Sequence, residues 1–275
     1  MSDKNTDMDR EAIRVVTQRV DFLELLTTSP LSKREVIDEL PYSRSTVDRA
    51  IRDLQIAGLI DKEERGYVVT LSGRVSAEQY QNFVETALDT IAAQDVADTI
   101  PADVPLDGRL FRGSTVHRSD DVAPYELVDH LVESLDGATH LRTLSEAIPH
   151  PRYFEAVVDR CRRGSLTVDG VLTSSLWEAL VDHHPETLEQ IFDVGMDISV
   201  GDVPAFTLHL IDRDDGTTVQ VLIHTDTGSI RGILTNESTE ALEWGNDLFA
   251  RVSEEADAVD GSSLDDAVTG EADEE

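Results

Sequence analysis

Between Ser32 and Gly58 the chain runs a short apolar-periodic segment, a three-residue break at Pro41-Tyr42-Ser43, and a second periodic segment that stops at a glycine. A break this short lets two helices meet only at a steep angle, so it dictates local geometry more tightly than any other stretch of the chain. Ser32 is a plausible N-cap for a helix to Leu40, with Val36, Ile37 and Leu40 inward. Ser43 caps the next helix, and Gly58 supplies its stop. In that second helix Val47, Ala50, Ile51 and Leu54 share one face. At about 100° per residue, Ser45, Asp48, Arg49 and Arg52 fall opposite, flanked by Arg44 and Thr46.

An arginine-rich face matters here because of the charge around it. The chain of 275 residues carries 23 Lys+Arg against 56 Asp+Glu, a formal net charge of −33. The segment Ser43–Gly58 holds three Arg against two Asp, a local +1. Arginine can pair with guanine edges, and hydroxyls can serve bases or phosphates. Lysines are only three, Lys4, Lys33 and Lys62. High acidity with few lysines is a halophilic composition, in which dense carboxylates keep the protein solvated when salt screens other charges. An ordinary acidic protein with an acidic tail is the alternative. The halophilic reading removes the usual objection to DNA binding by an acidic chain.

Upstream, Ile13, Val16, Val20, Leu23 and Leu26 repeat at near-helical spacing up to Ser29-Pro30, and residues 1–9 read as frayed. Downstream, Leu59–Leu71 reads as two short strands around a charged turn with Gly66. Lys62 and Arg65 flank the tip, and Tyr67 could pack or stack; Glu63 and Glu64 would sit near phosphates and weaken this surface. Residues 10–71 therefore read as a winged helix-turn-helix domain. A long helix over 72–99 follows, with Tyr80, Phe83, Ala87 and Ile91 as an apolar stripe suited to pairing two copies or to packing on the first helix.

Pro101, Pro105 and Gly108 mark a linker. Beyond it, strand and helix patterns alternate: strand Arg109–His117, helix Pro124–Leu135, strand His140–Leu144, helix Arg152–Arg163 and strand Thr167–Leu172. Helices across Leu176–Asp193 precede strands near Asp197–Val200, Phe206–Asp212, Thr218–His224 and Ser229–Thr235, with hairpin turns at Asp212–Gly216 and Asp226–Gly228. A helix from Ser238 to Val252 closes a mixed α/β domain over 109–252. Residues 253–275 carry ten acids, no cation and almost no large apolar group, and read as a disordered tail. The fold class is α/β, α+β overall.

Two sets of residues resemble known families. The run from Ser43 to Leu54, then Ala57-Gly58-Leu59-Ile60, resembles the recognition helix and strand entry of haloarchaeal winged-helix transcriptional regulators. Val69-Thr70-Leu71-Ser72-Gly73-Arg74 resembles the wing exit of MarR- and ArsR-like regulators. Phe111-Arg112-Gly113-Ser114, Pro124–Val128, the segment Arg163–Thr173 and the run Ser238–Phe249 resemble the effector domain of methanogenesis regulators of the Fil type. The likeness spans about residues 10–252 and implies a dimeric transcription factor whose α/β half senses something.

Other chemistries find little support. Phospholipase D-like sensor domains need His-x-Lys, and no lysine follows Lys62, which also excludes Schiff-base lysine chemistry there and a P-loop. The eight histidines show no His-x₃₋₄-His spacing, and adjacent His183-His184 diverge on a helix. Cys161, the single cysteine, lies among Arg160, Arg162 and Arg163, so it is either a small core residue or a redox thiolate. Trp177 and Trp244 read as core. Arg112 and Arg142, in or beside strands, either bind an anionic effector or bridge to carboxylates.

The expectation is a sequence-specific DNA-binding transcriptional regulator, a homodimer with a ligand- or partner-sensing C-terminal domain. DNA contacts are assigned to Ser43, Arg44, Ser45, Thr46, Arg49 and Arg52 on the helix and to Lys62, Arg65 and Tyr67 on the wing. No catalytic residue, metal or cofactor is expected, and the partners are double-stranded DNA, a second copy and a candidate small-molecule effector. The polar N-terminus and the lack of a long apolar run read as cytoplasmic, without membrane contact. The competing reading is a winged-helix protein–protein adaptor.

Overall fold

The computed structural model describes residues 2–98, 100, 104–119, 125–225 and 228–259. The chain divides into two units, Met1–Glu85 and Thr86–Glu275. The first begins with α1 (Ser2–Thr28), α2 (Lys33–Glu39) and α3 (Arg44–Ile56), followed by the antiparallel hairpin β1 (Ile60–Glu63) and β2 (Gly66–Val69). This is the element order expected for a winged helix. α2 opens with a capping box: Ser32 Oγ accepts from Glu35 N, and Glu35 Oε2 accepts from Ser32 N at 2.7 Å. Ser43 caps α3 by accepting from Thr46 N. The buried face of α3 is Val47, Ala50, Ile51 and Leu54, as the period requires.

The first helix departs from its expected face. Val15, Phe22, Leu23 and Leu26 are buried, whereas Ile13 is largely exposed. Arg19 is non-helical (φ −131°, ψ 18°), and this kink resets the helical phase between the two halves of α1. The hairpin is tied back to the segment before α2 by a β-bridge between Leu31 and Tyr67. Gly66 sits against that bridge at φ +143°, where an added Cβ would lie 2.3 Å from Leu31 C.

α4 (Leu71–Ala92) leads into the second unit. There the order is α5 (Gln94–Ala97), α6 (Gly108–Phe111), β3 (Thr115–Arg118), α7 (Glu126–Ser134), β4 (Ala138–Ser145), α8 (Pro151–Arg162) and β5 (Thr167–Leu172). α9 (Ser174–His183), α10 (Pro185–Asp193), β6 (Asp197–Val200), β7 (Thr207–Arg213), β8 (Gly216–His224), β9 (Ile230–Asn236), α11 (Thr239–Glu255) and β10 (Asp257–Val259) complete it. The strands form one mixed sheet in the order β10-β6-β5-β4-β7-β8-β9-β3. β4, β5 and β6 run parallel; the remaining pairings are antiparallel. One face packs Leu141, Val168, Ile198, Ile211 and Leu222 under α7 to α10. The other packs Leu144, Val171, Leu208, Leu210, Val219 and Val221 against Trp244 and Leu248 of α11.

Three expected boundaries move. The helix expected over 72–99 ends at Ala92, and α5 follows after a turn at Ala93. The strand expected over Arg109–His117 begins only at Thr115; residues 108–111 form α6, capped by Asp107, which accepts from Arg109 N at 2.8 Å. Leu110 and Phe111 are both buried. The expected tail also starts too early: residues 253–255 finish α11, and β10 pairs with β6, Asp257 opposite Val200. The rest of that tail, residues 260–275, lies outside the described residues, as do 226–227 of one hairpin turn and Pro124 at a helix start.

Candidate nucleic-acid interface

α3 projects Ser43, Arg44, Ser45, Arg49 and Arg52 outward, all exposed, with Thr46 half-buried. Its N-terminal hydroxyls cluster: Ser43 Oγ lies 2.9 Å from both Ser45 Oγ and Thr46 Oγ1. Tyr42 holds the preceding turn on α1, stacked on Phe22 at 5.5 Å and donating to Asp21 at 2.5 Å.

Charge pairing gives this face its character. Both α3 aspartates are neutralised from other elements. Lys33 Nζ of α2 lies 2.7 Å from Asp48, and Arg19 of the α1 kink lies 3.3 Å from Asp53. The hydrogen bond to Asp48 raises the Lys33 ammonium above its ordinary range. Among the described residues, Arg44, Arg49 and Arg52 have no carboxylate partner, and neither have Lys62 and Arg65 on the hairpin. The second unit is the opposite. Every arginine from Arg109 to Arg163 has a carboxylate within salt-bridge distance, while Arg213 and Arg231 bond to backbone carbonyls. Elsewhere only Arg10, Arg74 and Arg251 share the unpaired state among the described side chains. In an acidic chain, the unpaired cations thus gather on α3 and the hairpin tip.

The hairpin keeps Lys62, Glu63, Glu64 and Arg65 exposed. Tyr67 must be removed from the expected contact set. Its side chain is 8% exposed within the cluster that includes Val36 and Leu54, because β2 turns it inward opposite Lys62. Sequence reasoning missed Lys33 and Arg19, which prepare the α3 face by cancelling its negative charges. Their partners lie 15 and 34 residues away, and no local pattern marks them.

The two arginines expected beside an effector are occupied. Arg112 donates to Glu240 at 2.6 Å. Arg142 donates to Asn246 at 2.6 Å and to Asp212 at 3.2 Å, and its guanidinium lies over the Phe249 ring. His140 bridges Asp169 and Asp212 beside it. Cys161 is buried, and burial raises its thiol above the usual range, the opposite of a reactive thiolate. Trp244 is core, and Trp177 meets Phe192 edge-on. Among the described residues no group of three or more His, Cys, Asp or Glu could hold a metal ion.

Comparison with known proteins places both units. Residues 124–255 match the family of the middle domain of the methanogenesis regulatory protein FilR1, and residues 8–90 match the HVO_A0261 N-terminal domain family. The second unit therefore resembles the middle domain of a regulatory protein. Similar solved structures include Nuc, a phospholipase D family member from Salmonella typhimurium. It is 13% identical, covering 54% of this chain and 99% of that one, at a TM-score of 0.43. TrmBL2, an archaeal chromatin protein with a novel mode of DNA binding, is 12% identical over 91% of this chain and 99% of that one, at 0.40. NucT from Helicobacter pylori is 11% identical over 53% and 98%, at 0.41. No curated protein matches the chain in sequence. Among the described residues no helix is long and apolar enough to cross a membrane.

Proposed function

We propose that this chain is a sequence-specific DNA-binding transcriptional regulator that acts as a homodimer, with its second unit as the sensing half. The observation that carries the reading is the sorting of cations. An acidic protein that ties up most of its arginines elsewhere leaves Arg44, Arg49 and Arg52 free on one helix face and cancels the aspartates beside them. Such a face suits the major groove, where an unpaired guanidinium can make two hydrogen bonds to guanine. The hairpin cations Lys62 and Arg65 serve the backbone, and their weight is reduced by Glu63 and Glu64. The match of residues 124–255 to a regulatory-protein domain supports the same reading.

Dimerisation is assigned to α4. Phe83, Leu88 and Ile91 are 68%, 60% and 64% exposed on its C-terminal half, more apolar surface than a solvated helix leaves bare. The activity is binding and not catalysis.

Fluorescence anisotropy on the duplex upstream of the protein's own gene, in concentrated potassium chloride, tests the reading. The expected result is sequence-dependent binding that is lost when Arg44, Arg49 and Arg52 are all changed to Ala. Few unpaired cations mean few phosphate contacts, so affinity should fall only shallowly with salt, against a slope of roughly −0.9 per phosphate for ordinary sites. Binding indifferent to sequence or to the triple change would refute the assignment and favour a protein–protein adaptor.

A further inference from the structure

Between the sheet and α8, α9 and α10, at the C-terminal ends of parallel strands β4 and β5, lies a cavity of about 80 Å³. Its position is the usual one for ligands in such sheets. The floor is buried and the rim, including Ile148 and Phe154, is half-buried. The lining is apolar apart from Thr143, Ser145, Tyr153 and His209. No Asp, Glu, Lys or Arg lines it.

The polar groups are held in register by the sheet. Thr143 of β4 pairs with His209 of β7, so both point to the same face. Thr143 Oγ1 and Ser145 Oγ bond to each other at 2.8 Å. The Tyr153 ring stacks on the His209 ring at 5.4 Å, and its hydroxyl lies 3.4 Å from His209 Nδ1. Burial holds His209 uncharged, its pKa pushed down to about 3, with the His224 charge adding to this. We assign the Tyr153 hydroxyl as the donor to Nδ1, which puts the hydrogen of the neutral ring on Nε2; no hydrogen bond from Nε2 to a described residue is formed. His209 lines the uncharged cavity, and a donor there that meets no acceptor in the protein is available to a ligand that carries one.

We propose that this cavity binds a small uncharged molecule, two or three carbons bearing one hydrogen-bond acceptor such as a ketone oxygen, which takes the His209 Nε2 hydrogen. Size follows from volume: an apolar cavity of about 150 Å³ holds benzene, so about half that space holds roughly three or four heavy atoms. Charged effectors are excluded because nothing in the lining would pair with them. The proposal rests on reading the second unit as the sensing half and gives that half its ligand class. A ligand of about four heavy atoms can bind no tighter than tens of micromolar, given the ceiling of about 1.5 kcal/mol per heavy atom for the very best tiny ligands.

The test is a titration of the full chain, ¹⁵N-labelled at histidine, with acetone and separately with acetate. A saturable shift at His209 Nε2 with acetone, and none with acetate, is expected. His209→Phe keeps the stacked ring but removes the donor, and should weaken acetone binding about 3- to 10-fold, the worth of one hydrogen bond. Should that variant melt before it can be titrated, the wild-type shift decides alone, through its confinement to Nε2. Unsaturable shifts, equal binding of acetate, or unchanged affinity in His209→Phe would overturn the proposal. The titration contains no DNA, so its failure leaves DNA binding standing, and a failure of DNA binding leaves the site standing.

Discussion

Acid should destabilise this protein earlier than its many carboxylates alone would cause, because of His209. The side chain is 2% exposed, and burial lowers its pKa from an ordinary 6.5 to about 3. Below pH 6.5 the unfolded chain takes up a proton that the folded chain refuses, so the unfolded state binds more protons and stability falls as pH falls. The loss begins near pH 6.5 and grows until the folded pKa near 3 is passed. At pH 5 the gap to 6.5 is 1.5 units, which at 1.36 kcal/mol per unit is about 2 kcal/mol. For a unit of this size that corresponds to a melting temperature lower by roughly 4–8 °C. The assay is thermal melting of the full chain at about pH 7.5 and pH 5, in one fixed concentration of potassium chloride, for wild type and His209→Phe. Phenylalanine keeps the stack on Tyr153 but cannot titrate. It strands the Tyr153 hydroxyl at every pH, so the two slopes, not the absolute temperatures, carry the information. His117, His130 and His224 are also lowered by burial and leave a residual slope in the variant. The effect comes chiefly from desolvation, so molar salt should not erase it. Equal losses in the two proteins would refute the argument.

Arg49→Ala should weaken specific DNA binding by about 1–3 kcal/mol, more than Lys62→Ala, whose loss should be uniform across sequences; titration of both variants on one operator and on a scrambled duplex decides it. Deleting residues 260–275 should leave the melting temperature unchanged, whereas deleting 253–275 also removes β10 from the edge of β6 and should lower it by several degrees. Gly66→Ala should cost about 1–3 kcal/mol by chemical denaturation, because its Cβ would meet the Leu31 backbone at a φ that side chains rarely adopt. Phe83→Glu should shift sedimentation towards the monomer without lowering helical content.

Local patterns carried much of the fold. The α3 face was legible because Val47, Ala50, Ile51 and Leu54 repeat at the helical period, and Ser32 and Ser43 were legible as caps because their role depends only on the next three residues. The alternation after Gly113 was legible for the same reason. What failed depended on distant contacts. The Arg19 kink answers to Asp53. Tyr67 could equally pack or stack until the Leu31 bridge fixed which way β2 turns it. Arg112 and Arg142 were ambiguous because Glu240 and Asp212 lie 128 and 70 residues away. Thr143 and His209 stand side by side only through sheet register, which the sequence does not spell out.

The bridge between Leu31 and Tyr67, made by hydrogen bonds of 3.1 and 2.8 Å, has a bearing on how such a surface meets a duplex. It clamps the hairpin to the strand of chain that enters α2, so Arg65 at the tip and Arg49 on α3 travel as one piece. A loose arm must be frozen on arrival, and that ordering subtracts from affinity; a clamped one arrives already set. The converse is that the protein cannot widen or narrow its own grip. In the proposed role, a mismatch between that fixed span and the local groove would be absorbed by bending or twisting the double helix. Stiff and compliant base steps would then be told apart at positions that no side chain touches.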